Sequence, residues 1–208
     1  MNINDIWSSQ DNDVWNEALL SAKEETGRDN FIETKMLKLN VEYLKNLEVN
    51  DFYNFLHDDY FLWKYTAKNR LATTRKKLEE YVVDMKELKD IQEELFNFKL
   101  EKTRMGLNVA VQIKGLGIAG ASGLLSLLYP SYFGTVDDMV IRALLSTNEY
   151  KDDETIKSMN PKNIKIDEAV YLINIFKKKA NELNKLFNQY CWTPRDIDVI
   201  LWFFRDNK

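Results

Sequence analysis

The sequence has few of the residues that cross-link a chain or bind transition metals. Among its 208 residues there is one cysteine, Cys191, and one histidine, His57. A single cysteine excludes an internal disulfide and a four-cysteine iron–sulfur site. A single histidine argues against a His-rich metal centre. We therefore expect no metal cofactor.

Long apolar runs are also absent. No run reaches the roughly 18–20 apolar residues that cross a bilayer, and the first fifteen residues, MNINDIWSSQDNDVW, are acidic and polar, unlike a signal peptide. These features predict a cytoplasmic protein without a membrane partner, and we expect a monomer.

Chain breakers are scarce, with three prolines and seven glycines. Apolar residues instead recur every three or four positions, which indicates helices. Residues 148–165 are the best loop candidate, and Thr193-Pro194 predicts a helix start. We expect an all-α fold of about eight to ten helices in one domain, 1–208, built as two packed helical lobes. The longest apolar stripe comprises Ile166, Ala169, Val170, Ile173, Phe176, Ala180, Leu183 and Phe187.

The net charge of −4 conceals a strong asymmetry. Residues 1–60 contain thirteen acidic and five basic residues, whereas 63–77, WKYTAKNRLATTRKK, contain six basic residues and no acidic one. Local charge governs the binding of a polyanion more than the total does. This run, with Lys68 and Arg70, therefore predicts a DNA-binding surface; the alternative is an ordinary solvated helix face.

Three glycines lie within six residues in IKGLGIAG, at Gly115, Gly117 and Gly120. The segment joins two helical patterns, so it predicts a tight hairpin. Free amides at the start of the second helix would then suit a phosphate oxygen, and carbonyls of the preceding turn could hold a monovalent cation. The alternative is a helix–helix corner that needs glycine for packing alone.

Residues 113–145, within the expected hairpin and catalytic segment 106–145, contain the glycines of the hairpin followed by Val136-Asp137. This stretch resembles the helix-hairpin-helix DNA glycosylase superfamily. The resemblance implies a helical glycosylase-like fold, DNA as partner and Asp137 as the catalytic carboxylate. Eighteen residues separate Ala119 from Asp137, as in that family. The matching residues are Ile113, Gly115, Leu116, Gly117 and Ala121 in the hairpin, then Val136-Asp137, and Arg142 in the following helix.

Three residues depart from the family pattern. Lys114 stands in place of the usual proline and Gly120 in place of threonine. Ala119 occupies the position where bifunctional members carry a Schiff-base lysine, so the resemblance implies a monofunctional glycosylase without lyase activity, or a protein without catalysis. The hairpin residues expected at DNA are Lys114, Gly115, Gly117, Ala119 and Gly120.

Asp137 is the expected chemical residue. Breaking an N-glycosidic bond builds positive charge on the sugar, which a nearby carboxylate stabilises while it orients water. The alternative is that Asp137 only caps a helix. Asp138 is expected to cap or to add negative charge.

The flipped base would need a lined pocket. The expected lining residues are Trp63, Trp192, Arg195, Asp198 and Trp202; the alternative is that the tryptophans belong to the core and Arg195 pairs with a carboxylate. The resemblance thus implies base excision, in repair or in defence against modified foreign DNA. Two rivals stay open: a non-catalytic DNA-binding protein and a helical protein-interaction module.

Overall fold

A computed structural model describes residues 1–27 and 31–205, which are helical and contain no strand. The prediction of an all-α fold is confirmed for these residues. They form fourteen α-helices, one π-helical segment and one 3₁₀ segment, more than the eight to ten expected, because several helices span only four to seven residues. The α-helices are α1 (Ile3–Ser8), α2 (Asn12–Gly27), α3 (Phe31–Leu37), α4 (Val41–Lys45), α5 (Val49–Asn54), α6 (Phe61–Lys64), α7 (Lys68–Leu78), α8 (Lys86–Leu95), α9 (Thr103–Ala110), α10 (Ile118–Leu128), α11 (Asp138–Leu145), α12 (Glu154–Lys157), α13 (Ile166–Leu186) and α14 (Pro194–Phe203).

The carboxyl-terminal helix α14 is central to the packing. It contacts α2, α10, α11 and α13, while α10 also packs on α9. One hydrophobic cluster runs from α1 to α14. Helix α10 is buried over most of its length, which explains why its sequence is apolar on all sides.

The start of α14 follows its sequence signal. The Thr193 side chain accepts from the backbone N–H of Asp196, and the Asp196 carboxylate accepts from the backbone N–H of Thr193. Pro194 occupies the first turn, where a missing N–H costs nothing.

Helix α5 begins at Val49, after Glu48, and continues through a π-helical segment, Phe55–Tyr60, into α6. One boundary prediction is wrong. The expected loop 148–165 contains the short helix α12, because the Asp153 side chain caps it. No helix in the described ranges is both long and apolar enough to cross a membrane.

Candidate functional site

The hairpin connection spans residues 111–117, between the end of α9 at Ala110 and the start of α10 at Ile118. Gly115 has φ +95°, and a Cβ built on it would lie 2.8 Å from the carbonyl oxygen of Thr74 in α7. Glycine is therefore required there both by the backbone conformation and by close packing. This contact places the basic helix α7 directly beside the hairpin.

Gly117 occupies the N-cap position of α10 and faces open space. It makes no side-chain cap, and a Cβ built on it meets no atom within 4 Å. The first amides of α10 have no helical acceptors of their own. The mouth of the hairpin is therefore open at Gly117.

Ala119 and Gly120 lie inside the first turn of α10, because that helix begins at Ile118. Ala119 is half-buried. Gly120 is buried: a Cβ on it would lie 2.6 Å from the Tyr65 hydroxyl, and its carbonyl accepts from the Tyr60 hydroxyl at 2.5 Å. Gly120 thus serves close packing against the aromatic residues before α7.

The basic residues proposed for DNA differ in their surroundings. Lys68 and Arg70 are exposed at the start of α7, and the Arg70 guanidinium lies 5.3 Å from the Tyr65 ring centroid. Lys114 instead pairs with Glu87 at 2.9 Å and lies over the Tyr81 ring at 4.4 Å. The hydrogen bond that Lys114 donates to Glu87 raises the pKa of Lys114. The charge of Lys114 is therefore paired, whereas Lys68 forms no ion pair with any residue in the described ranges.

Asp137 caps α11 with only one of its two carboxylate oxygens. Oδ1 accepts from the backbone amides of Met139 at 3.0 Å and Val140 at 3.2 Å. No described residue donates to Oδ2. Asp137 is half-buried. Capping therefore leaves one carboxylate oxygen without a hydrogen bond from the described residues.

The loop that carries Asp137 is tied to two helices. The amide of Val136 donates to Ser122 Oγ of α10 at 3.0 Å, and the Thr135 hydroxyl bonds to Ser126 Oγ of the same helix at 3.0 Å. The amide of Thr135 donates to Asp198 Oδ2 of α14 at 2.7 Å. These buried contacts fix the approach to Asp137.

Arg195 connects this loop to an aromatic wall. Its Nη1 donates to Asp198 Oδ1 at 2.7 Å and to Thr135 Oγ1 at 3.0 Å. Its guanidinium lies 5.7 Å from the Trp63 ring centroid, and Trp63 Nε1 donates to Glu33. Trp63, Arg195 and Asp198 of the expected pocket are therefore brought together near Asp137.

The other two expected pocket residues do not join this network. Trp192 packs edge-on against Trp15 at 5.9 Å and lines a separate cleft of about 370 Å³. Trp202 is partly exposed, and the Arg205 guanidinium lies 4.4 Å from its ring centroid.

Burial shifts the pKa of three charged groups in this network, and it raises the pKa of Glu33. Burial raises the pKa of Asp198 to about 7, against the opposing effect of Arg195. Burial lowers the pKa of Lys64, which ends α6, and the Asp137 and Asp198 carboxylates offset part of that shift. Lys64 and Asp137 therefore interact electrostatically.

The sequence does not single out Ser122 or Ser126 as site residues, and it includes Lys64 only as one of the basic residues of the run 63–77. The two serines lie four residues apart in an apolar helix, a spacing that puts them on one face and calls for a polar partner. Lys64 lies between Trp63 and Tyr65, and a lysine among aromatic residues indicates partial burial. Both signals are visible in the sequence but do not identify the partner.

No protein-family model matches the chain, and neither a curated protein nor a solved structure matches it significantly. Within the described residues, no group of three or more His, Cys, Asp or Glu side chains is arranged to hold a metal ion.

Proposed function

We propose that the protein is a monofunctional DNA glycosylase with a two-lobed, glycosylase-like helical fold. It would release a damaged or modified base that has been flipped out of duplex DNA, in repair or in defence against foreign DNA. The observation that carries this proposal is the half-capped Asp137, whose Oδ2 accepts no hydrogen bond from a described residue and which follows a loop bonded to α10 and α14.

DNA would approach along the hairpin and α7. The open face at Gly117 and the exposed charges of Lys68 and Arg70 suit a phosphate backbone. A monovalent cation bound by the hairpin carbonyls would add a further contact to the phosphate. Because Gly115 packs on Thr74, the hairpin and α7 would bind the backbone as one unit.

The sugar of the flipped nucleotide would then face Asp137. The carboxylate would stabilise positive charge at C1′ and orient the attacking water. Trp63 would supply an apolar wall for the base, while Arg195, fixed by Asp198, would supply hydrogen-bond donors. Ala119 has no amine, which accounts for hydrolysis without a Schiff base at that position.

A panel of duplexes tests this proposal, each carrying one lesion or natural base modification. Each duplex is incubated with the protein and assayed for abasic sites. We expect release of at least one base by the wild type and its loss in Asp137→Asn. Absence of release from every duplex would overturn the proposal.

A non-catalytic DNA-binding protein is the second candidate. It is favoured by the capping bonds of Asp137, which by themselves explain an aspartate at the start of α11. This candidate predicts salt-dependent DNA binding with no base release. A helical protein-interaction module is the third candidate, and it predicts neither DNA binding nor base release.

A further inference from the structure

Lys64 occupies a space that a glycine leaves open. A Cβ built on Gly123 of α10 would lie 3.3 Å from Lys64 Nζ and 3.4 Å from its Cδ. The Lys64 side chain therefore packs against the backbone of α10 at Gly123, where no side chain intervenes. The same helix holds the Asp137 loop through Ser122 and Ser126.

The ammonium group of Lys64 has no ion-pair partner among the described residues. Lys179, another lysine with little exposure, differs, because it pairs with Glu149 at 3.5 Å and Glu182 at 3.3 Å. Partly buried cations are normally paired. An unpaired ammonium that interacts electrostatically with the half-capped Asp137 is therefore a candidate functional group.

Charged groups face Lys64 from several elements. Asp137 precedes α11, Arg195 and Asp198 belong to α14, and Arg70 belongs to α7. Arg195 and Asp198 pair with each other at 2.7 Å, so their charges largely cancel. Asp137 is therefore the carboxylate near Lys64 whose negative charge is not compensated by Arg195.

The other proton donors in this region are occupied. Asp198 is 1% exposed, and both of its oxygens accept hydrogen bonds. Arg195 does not lose its proton in proteins. The hydroxyl of Tyr60 donates to the Gly120 carbonyl, and Tyr65 is hydrogen-bonded to Arg70. Glu33 is engaged by Trp63.

We propose that Lys64 is the general acid of base release and protonates the departing base while Asp137 acts on the sugar. This inference rests on the proposed glycosylase function. The C1′–N bond breaks as the Nζ proton moves to the base. Water adds to C1′, and its proton passes to Asp137 Oδ2. Solvent then returns that proton to Lys64, so that the net reaction is hydrolysis.

The lowered pKa of Lys64 supports this role, because an acid works best when its pKa lies close to the working pH. The role also indicates a substrate class. A neutral base leaves poorly unless it is protonated, whereas a cationic alkylated base leaves without help. The site would therefore act on DNA that carries a neutral modified base.

The test compares Lys64→Gln and Lys64→Arg with the wild type on the duplex from which the wild type releases base. The measurement is single-turnover base release between pH 6 and pH 10, a range that lies below the ordinary lysine pKa of about 10.4. Lys162→Gln, an exposed substitution outside the site, is the matched control. Circular dichroism and thermal melting check that each variant folds.

We expect wild-type release to fall at high pH as Lys64 loses its proton. Both Lys64 variants should be slower by about 10²–10⁴-fold, the usual contribution of a general acid, and should lose that high-pH limb. Lys64→Arg should keep wild-type DNA affinity, because it keeps the charge.

Full release by Lys64→Arg would show that only the charge matters and would overturn the acid role. If Lys64→Gln releases base at the wild-type rate, this inference is overturned while the proposed glycosylase function stands. Absence of base release by the wild type would overturn the glycosylase function and this inference together.

Discussion

Asp198 Oδ2 accepts a hydrogen bond at 2.7 Å from the backbone amide of Thr135, which lies two residues before Asp137. The same carboxylate holds Arg195 through its other oxygen at 2.7 Å. One buried side chain thus orients both the loop of the expected catalytic carboxylate and the expected base-binding cation. Its charge state bears on stability as well as on site geometry.

Asp198→Asn should change the pH dependence of stability. Burial raises the pKa of Asp198 from 3.8 to about 7, so the folded protein binds the proton more tightly than the unfolded chain. The wild type should therefore lose stability, relative to Asp198→Asn, as pH rises from about 4 to about 7. Urea unfolding of both proteins at pH 4.5, 6 and 8 measures this difference. A constant difference across these values would contradict it.

Gly117→Val should weaken DNA binding equally for all sequences. A Cβ at this position meets open space, so the fold should persist while the phosphate approach is blocked. We expect about a tenfold loss, roughly 1.4 kcal/mol, by fluorescence anisotropy on several unrelated duplexes. Unchanged affinity with a wild-type circular dichroism spectrum would count against the phosphate grip.

Borohydride should trap no covalent adduct with DNA that contains an abasic site. Ala119 offers no amine, Lys114 is paired with Glu87, and Lys64 is assigned to act in its protonated, non-nucleophilic form. Denaturing gel electrophoresis after reduction reads out the adduct. A trapped species that mass spectrometry maps to Lys64 would refute the monofunctional assignment.

Ser122→Ala should destabilise the protein and slow base release together. It removes the only hydroxyl that the structure shows accepting from the buried amide of Val136, which would cost about 1–3 kcal/mol. Ser158→Ala, at an exposed position, is the control. Thermal melting and the abasic-site assay measure the two effects, and wild-type values in both would show that this bond does not hold the loop.

The all-α class is predictable from the sequence because the spacing of apolar residues and the scarcity of proline and glycine determine local structure. The Thr193–Asp196 cap is predictable for the same reason, since its partners are three residues apart. The count of helices is not, because short elements such as α12 depend on single caps like Asp153.

The candidate site is only partly predictable. Val136-Asp137 and the glycine spacing are local patterns, and they led to the hairpin and the carboxylate. Lys64 and Asp137 are 73 positions apart in the chain. Their proximity follows from the packing of α6 against α10, which no local pattern encodes. Trp192 and Trp202 are expected in the base pocket because of their place in the sequence. In the structure they pack against Trp15 and Arg205 instead.

Base release by Asp137→Asn tests the central claim most directly. Asparagine keeps the side-chain oxygen that caps α11 but removes the charge that would act on the sugar. We expect a loss of about 10²–10³ in rate, roughly 2.7–4 kcal/mol, with unchanged or tighter binding to lesion DNA. Asp138→Asn, which affects only the exposed pair with Arg142 at 2.8 Å, is the control. If Asp137→Asn lowers the melting temperature yet releases base at the wild-type rate, Asp137 is only a helix cap and the account is contradicted.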